Sequence, residues 1–189
     1  MGLFRLFREM ENDSMISKVL KKVCSKLEQN DIDYMLSGSL AMSIYTIPRM
    51  TRDIDIVINV NVSESKKIAD IFKDDYYIYE EGLVEEIKNR RMFNVIDNET
   101  SFKIDFIIRK NTEFHINEFE RRIRKTVFGV KTWVVTVEDL IISKLKWTQD
   151  LKSEQQILDI ENLLSVPGID MEYVKKWCKE LNLNTYSLI

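Results

Sequence analysis

Residues 34–58 read YMLSGSLAMSIYTIPRMTRDIDIVI and combine a glycine-containing turn with an acidic, otherwise apolar segment. Its last six residues begin with Asp53 and Asp55, separated by an isoleucine and followed by apolar residues. Alternate residues of a strand face the same side, so the two aspartates share one face and the isoleucines line the other, which is predicted to be the core. Two adjacent carboxylates on one face repel each other unless they are protonated, solvated or holding a cation. The stretch therefore predicts a half-buried strand with an acidic face.

A second strand, residues 102–108 (FKIDFII), repeats this arrangement. Its even-numbered residues form a continuous apolar face, and Asp105 lies opposite them with Lys103 and Ile107. If the two strands are neighbours, three carboxylates converge, and a site made of oxygen ligands suits a hard divalent cation such as Mg²⁺. The alternative is three solvated aspartates on an exposed sheet face.

Upstream of the aspartates, Ser37-Gly38-Ser39 lies between a predicted strand at Tyr34–Leu36 and a predicted helix at residues 40–45. A glycine at such a junction lets backbone N–H groups approach an anion, and the start of a helix favours phosphate. The Ser39 hydroxyl adds a further donor. Strand–turn–helix junctions also carry Gly-Ser for the turn alone, so this motif gains its meaning from the aspartates that follow it.

Hydrophobic periodicity organises the rest of the chain. Helices are predicted at residues 14–27, 63–72, 83–88 and 116–124, and strands at residues 76–79, 92–96, 126–130 and 132–135. Capping boxes at Thr136 with Asp139 and at Ser153 with Gln156 open two further helices, and residues 171–181 form the last one. These elements predict an α+β fold, a mixed sheet with flanking helices and a helical C-terminal part. We expect an α/β core at residues 1–135 and a helical part packed on it at residues 136–189.

The composition of the chain excludes several classes of protein and kinds of metal site. The chain has 189 residues, of which 44% are hydrophobic, and a formal charge of −3, so it can bury a sizeable core and is not a polycation shaped for nucleic acid. A single histidine rules out a multi-histidine metal site, and two cysteines without paired spacing suit a reducing cytoplasm. No apolar run is long enough to span a membrane. We therefore expect a cytoplasmic protein without a membrane partner.

Gly38-Ser39, the helix after them, and the approach Arg49-x-Thr51-x-Asp53-x-Asp55 resemble the signature of the DNA polymerase β-like nucleotidyltransferase superfamily. The pattern of that superfamily is Gly-Ser, a helix, Asp-x-Asp, and a third aspartate on a later strand, a position that Asp105 matches. The resemblance implies the superfamily's mixed sheet. It also implies transfer of a nucleoside monophosphate from a nucleoside triphosphate (NTP) to an acceptor, with release of pyrophosphate and with Mg²⁺ or Mn²⁺ as cofactor.

The resemblance also assigns roles to the matching positions. The two aspartates of Asp-x-Asp would hold two metal ions, and Asp105 would complete the metal shared with the acceptor and help to deprotonate it. Binding of the nucleotide is expected from Gly38, Ser39, Arg49 and Thr51, and Lys144 would neutralise the triphosphate.

In the second half, residues 138–145 (EDLIISKL) and 156–160 (QILDI) resemble the later motifs of AbiEii-like abortive-infection toxin nucleotidyltransferases. In that group a lysine on one helix and an aspartate on the next complete the site, and Lys144 and Asp159 match them. Lys144 lies inside the apolar stripe of its helix, where a lysine either extends its ammonium to solvent or contacts an anion. Asp159 is either part of the site or a solvated surface residue. Since the chain is shorter than the full toxins, toxicity and the identity of the acceptor are left open.

Several partners fit this interpretation. The acceptor is a tRNA, a protein or a small molecule, and a toxin-type protein would also have an antitoxin partner. The alternative function is a catalytically degenerate module that binds nucleotide, or acts as a toxin–antitoxin partner, without catalysis. The three intact carboxylates favour catalysis, because binding alone needs fewer. The basic run from Arg121 to Lys125 is either a solvated helix face or an RNA contact.

Overall fold

The computed structural model describes residues 14–48, 51, 53–150 and 153–189. Arg49, one of the predicted nucleotide-binding residues, lies outside these ranges, as does the segment Met1–Arg8. The α-helices of the described chain are α1 (Met15–Gln29), α2 (Gly38–Met42), α3 (Ser65–Phe72), α4 (Glu80–Lys88), α5 (Glu113–Glu120), α6 (Val137–Asp150), α7 (Glu154–Leu164) and α8 (Met171–Glu180), and a short 3₁₀ helix at Val62–Glu64 precedes α3. Within the described ranges, none of these helices is long and apolar enough to cross a membrane.

The strands of the described chain form one seven-stranded sheet. They are β1 (Tyr34–Leu36), β2 (Asp53–Ile58), β3 (Tyr76–Ile78), β4 (Met92–Asp97), β5 (Lys103–Ile108), β6 (Ile123–Val127) and β7 (Val130–Val134), in the spatial order β3-β4-β5-β2-β1-β7-β6. Two neighbouring pairs, β2 with β5 and β1 with β7, are parallel, and the other pairs are antiparallel. The predicted α+β class with a mixed sheet is confirmed.

The parallel pair at the centre of the sheet sets the position of the acidic residues. In its register Ile54 faces Ile104, and Asp55 faces Asp105. Both isoleucines are fully buried, as is Phe106 on the same side of the sheet. Since side chains alternate between the two faces, the aspartates of both strands emerge together on the opposite face.

Helix α6 covers that face and packs against α2, α7 and α8. It begins at the predicted capping box, in which the Asp139 backbone N–H donates to the Thr136 hydroxyl at 3.3 Å and that hydroxyl donates to the Asp139 carboxylate at 2.7 Å. The side chain of Ser153 caps α7 in the same way, accepting from the Gln156 N–H at 3.2 Å. These caps fix where the two helices start, and therefore which of their residues face the sheet.

Three predicted helices have other bounds in the structure. The helix expected at residues 40–45 is α2 (Gly38–Met42), and the one expected at residues 83–88 is α4 (Glu80–Lys88). The helix expected at residues 116–124 begins earlier and ends at Glu120, and strand β6 starts at Ile123. The strand expected at residues 126–130 is also shifted, because the chain reverses at Phe128 and Gly129, which both have positive φ. A two-residue loop with both residues in the left-handed region is the turn that joins tightly paired antiparallel strands.

Candidate active site

The turn between β1 and α2 brings the chain close to Asp55. The Ser37 N–H donates to the Asp55 carbonyl at 2.9 Å, which extends the pairing of β1 with β2 up to the turn. Gly38 follows with φ +62°, a conformation that costs glycine little and other residues much more. The first residues of α2 are thereby held beside the acidic face of β2.

Asp55 and Asp105 form the centre of the acidic face. Asp105 is only 6% exposed, and its Oδ1 atom is buried without a hydrogen-bond partner in the described part of the chain. Burial, followed by the charges of Asp105 and Asp53, raises the pKa of the Asp55 carboxyl above its usual range. The two carboxylates therefore share a region in which negative charge is not fully compensated.

Lys103 pairs with two of the three aspartates, Asp105 and Asp53. Its Nζ lies 2.8 Å from Asp105 Oδ2 and 3.8 Å from Asp53 Oδ1. The hydrogen bond to Asp105 raises the pKa of the Lys103 ammonium, against the effect of burial. Among the described residues, no group of three histidine, cysteine, aspartate or glutamate side chains forms a ready-made ion site. Sequence reasoning placed Lys103 on the acidic face without a role, although its spacing of two from Asp105 was a signal for this pairing.

The chemistry of the donors nevertheless fits a divalent cation. Carboxylate oxygens are the ligands that Mg²⁺ and Mn²⁺ prefer. A buried oxygen without a partner, here Asp105 Oδ1, is costly unless something donates to it or binds it. Asp55 and Asp105 are the residues best placed to hold an ion, and Asp53 adjoins them through Lys103.

Lys144 and Asp159 form a buried ion pair at the other side of the site. Lys144 Nζ lies 2.8 Å from Asp159 Oδ2, and the two side chains are 11% and 1% exposed. Gln155 donates to the other carboxylate oxygen at 3.0 Å. Lys144 therefore contacts an anion rather than extending into solvent, and Asp159 is a buried residue rather than a solvated one.

Six of the predicted site residues line one cleft of about 290 Å³ beneath α6: Gly38, Ser39, Asp55, Asp105, Lys144 and Asp159. Thr51 and Asp53 do not belong to its described walls. The Thr51 hydroxyl instead donates to the Asp53 carbonyl at 3.2 Å, at the start of β2. Sequence reasoning missed Trp147 and Ser143, which also line the cleft. A helical spacing of three from Lys144 would have placed Trp147 on the same face of α6.

A Gly-Ser turn, two paired aspartate strands and a covering helix with a buried lysine meet in this one cleft. The family described as nucleotidyltransferase of unknown function (DUF6036) matches residues 14–188, and the chain belongs to this family. It is accordingly a nucleotidyltransferase enzyme.

Solved structures agree on the fold. The crystal structure of ANT(2″)-Ia in complex with adenylyl-2″-tobramycin is similar with a TM-score of 0.60 and 9% identity, over 88% of this chain and 96% of that one. The lincosamide antibiotic adenylyltransferase LnuA, bound to lincomycin, gives 0.54 and 16%, over 78% and 96%. An antigenic nucleotidyltransferase-like protein from Paracoccidioides brasiliensis gives 0.53 and 18%, over 87% and 86%. No curated protein matches the chain in sequence.

Proposed function

We propose that this enzyme transfers a nucleoside monophosphate from an NTP to an acceptor hydroxyl and releases pyrophosphate, with Mg²⁺ or Mn²⁺ as cofactor. The observation that carries the proposal is the buried Oδ1 of Asp105, which has no hydrogen-bond partner among the described residues and lies beside Asp55 in the cleft beneath α6. An acidic pair of this kind is suited to holding a divalent cation and accepting a proton. Asp53, Asp55 and Asp105 would hold the metal.

The bond changes follow from the reaction class. The acceptor oxygen attacks the α-phosphorus, the bond from that phosphorus to the bridging oxygen breaks, and pyrophosphate leaves with the bonding electrons. The proton of the hydroxyl passes to the carboxylate of Asp105. A bound divalent metal would supply charge neutralisation to the attacking and leaving oxygens.

The cleft also contains groups that suit the triphosphate. Gly38 and Ser39 begin α2, and the start of a helix favours a bound anion. Lys144 would neutralise phosphate charge while Asp159 holds its ammonium in position at 2.8 Å. This lysine–aspartate pair across two successive helices supports the AbiEii-like subtype as a proposal. With that subtype, a tRNA or protein acceptor and an antitoxin partner remain candidates.

The molecules bound to two structurally similar enzymes favour the small-molecule acceptor. ANT(2″)-Ia was solved with adenylyl-2″-tobramycin, and LnuA with lincomycin, so a small hydroxyl-bearing molecule is a third candidate acceptor.

The rival proposal is a module that binds nucleotide without catalysis. The observation that favours it is Lys103, whose ammonium contacts Asp105 at 2.8 Å and thereby neutralises part of the charge that a metal would need. Metal-dependent consumption of NTP separates the two proposals.

The experiment incubates the protein with each α-labelled NTP and Mg²⁺ or Mn²⁺. Total tRNA, cell protein and a set of small molecules are the acceptors, and both label transfer and pyrophosphate are measured. Asp105→Asn removes the charge of the central carboxylate, and the exposed Asp74→Asn is its matched control. We expect transfer in the wild type and in Asp74→Asn and its loss in Asp105→Asn. Tight NTP binding without pyrophosphate release under any of these conditions would favour the rival.

A further inference from the structure

A second cleft, of about 150 Å³, opens beside the first cleft, the one beneath α6 that contains Asp55 and Asp105. The two clefts share Ser37, Ile107, Ser143 and Trp147 as walls. A molecule in the second cleft therefore lies next to one in the first, which is the relationship required of two substrates that react with each other.

The second cleft follows the same strands past the aspartates. The Arg109 N–H donates to the Ile58 carbonyl at 2.9 Å, so the pairing and the alternation of β5 continue beyond its last residue. Arg109 therefore shares the face of Asp105 and Ile107, four residues or about 13 Å along the strand from Asp105. Along this face the wall changes from acidic at Asp105, through apolar at Ile107, to basic at Arg109.

Three cationic side chains line the second cleft and lower the pKa of its histidine, His115. They are Arg109, Lys110 and Lys146. The pKa of His115 is lowered to about 4 by burial, and the charges of Lys146, Lys110 and Arg109 act in the same direction. The ring is therefore neutral at neutral pH. Its Nε2 lies 3.2 Å from Lys146 Nζ and its Nδ1 lies 2.6 Å from the Thr112 hydroxyl.

The carboxyl group in the second cleft does not offset these cations. Glu118 is 4% exposed and accepts a hydrogen bond from the Ser143 hydroxyl at 2.6 Å. Burial raises the pKa of Glu118 to about 8, so the group is mostly neutral at neutral pH. Glu118 is the one carboxyl-bearing residue among the described residues that line this cleft. The lining is therefore strongly positive, in contrast to the acidic catalytic cleft.

We infer that the second cleft binds a phosphate group of the acceptor, so that the acceptor is a phosphate ester with its reactive hydroxyl directed toward Asp105. This inference rests on the proposed function. A cleft with arginine and two lysines favours a doubly charged phosphate over a neutral or cationic group. Under the proposed function, the triphosphate would lie beside Gly38, Ser39 and Lys144, which line the first cleft. The phosphate belongs to a small ester or to the end of an RNA.

The test measures binding without metal or nucleotide, by calorimetry at one fixed ionic strength, because exposed charges are screened by salt. The probes are glycerol 3-phosphate, its uncharged parent glycerol, and a short single-stranded RNA. The variant is Lys110→Gln/Lys146→Gln, and its matched control is Lys125→Gln/Lys131→Gln, which removes two exposed lysines from the β6–β7 hairpin. Lys110→Glu is the second variant, because Lys110 is exposed and its replacement leaves the packing intact.

We expect the wild type and the hairpin control to bind glycerol 3-phosphate or the RNA but not glycerol. The arm that binds identifies the source of the phosphate. In both cleft variants the affinity should fall at least about tenfold, because charge-assisted contacts are lost. Unchanged affinity in the cleft variants, or binding of neither probe by the wild type, would overturn the inference.

A separate arm measures binding of ATP with Mg²⁺ in the same proteins. We expect the cleft variants to bind ATP as the wild type does. If they lose ATP and glycerol 3-phosphate equally, the cations serve the triphosphate and the inference fails. If the wild type binds the phosphate probe but neither binds nor consumes NTP, the proposed function fails while the phosphate site stands.

Discussion

Gly38 lies so close to the carboxylate of Asp55 that a β-carbon added at residue 38 would be 1.9 Å from Asp55 Oδ2. That contact is far shorter than two atoms tolerate. The side chain of Asp55 and the turn before α2 are thus fitted to each other, and the Gly-Ser motif and the Asp-x-Asp motif form one structural unit. Glycine is required at residue 38 both for its positive φ and for the space it leaves.

Replacing Gly38 should therefore disable the site. Gly38→Ala must move Asp55 and strain the turn, and we expect about 1–3 kcal/mol of destabilisation and a loss of transfer of about 100-fold or more. Gly168→Ala is the matched control, because Gly168 also has a positive φ, +82°, but nothing lies within 4 Å of an added β-carbon. Denaturant unfolding and label transfer measure the two effects. Equal activity in both variants would contradict the role given to the Gly38–Asp55 contact.

Removing the ammonium of Lys144 should destabilise the fold. Lys144→Met removes the ammonium 2.8 Å from the buried carboxylate of Asp159, and breaking one partner of a buried pair costs about 3–5 kcal/mol. If Lys144 were a buried cation without a partner, its replacement by methionine would instead stabilise the fold, because an uncompensated charge would no longer be buried. Asp159→Asn should also destabilise, whereas the double variant Lys144→Met/Asp159→Asn should recover most of the loss. A double-mutant cycle from urea unfolding checks this, and additive effects would mean that the pair is not coupled.

Transfer should respond differently from stability in the same variants. If Lys144 contacts the triphosphate, both Lys144→Met and the double variant should lose activity, although only the single variant is unstable. Asp159→Asn should retain part of the activity because it keeps the ammonium. Full transfer by the double variant would show that Lys144 is not needed for catalysis.

Metal binding should compete with Lys103. Without its ammonium, Asp105 and Asp53 lose the cation that pairs with both, so we expect Lys103→Met to lower the melting temperature in the absence of metal. Added Mn²⁺ should raise the melting temperature of this variant more than that of the wild type, because a ligand that binds the native state more tightly stabilises it more. Lys131→Met, an exposed lysine of β7, is the control. A smaller Mn²⁺ effect in Lys103→Met would indicate that this lysine assists the metal instead.

Stability should fall with rising pH because of Glu118. Its folded-state pKa of about 8 lies above the ordinary value of 4.5, so the folded protein keeps a proton that the unfolded chain has released. The contribution is fully present below pH 4.5 and is lost as the pH rises through 8, by at most about 1.4 kcal/mol per pH unit. Glu118→Gln should flatten this dependence between about pH 7 and 8, where the neutral His115 no longer contributes. Glu120→Gln, an exposed neighbour, should behave as the wild type in urea unfolding at each pH.

The central strands were predictable because alternation and burial act locally. The sequence of β2 and β5 contains both the apolar faces and the side on which Asp55 and Asp105 emerge, and the register pairs them as neighbours. Capping residues likewise predicted the starts of α6 and α7. These patterns depend only on residues close together in the chain, so they can be recognised without knowing the tertiary contacts.

The parts that failed depend on contacts between distant residues. The basic run at residues 121–125 resembled a solvated helix face, but two of its arginines form ion pairs with aspartates elsewhere in the protein. Arg121 pairs with Asp139 at 2.9 Å, and Arg122 with Asp33 at 3.1 Å. Neither partner could be inferred from spacing. The pairing of Lys144 with Asp159 was also invisible, although each residue was selected for another reason.

The fluorescence of Trp147 should report the binding of molecules in both clefts. It is one of the residues that line both the acidic and the basic cleft, and 57% of it is exposed. The emission of an indole depends on the polarity around it, so filling either cleft changes the same fluorophore. In a protein with phenylalanine at positions 133 and 177, Trp147 is the only remaining source of this signal. The order in which nucleotide and acceptor arrive could then be followed in one stopped-flow trace, without a label on either.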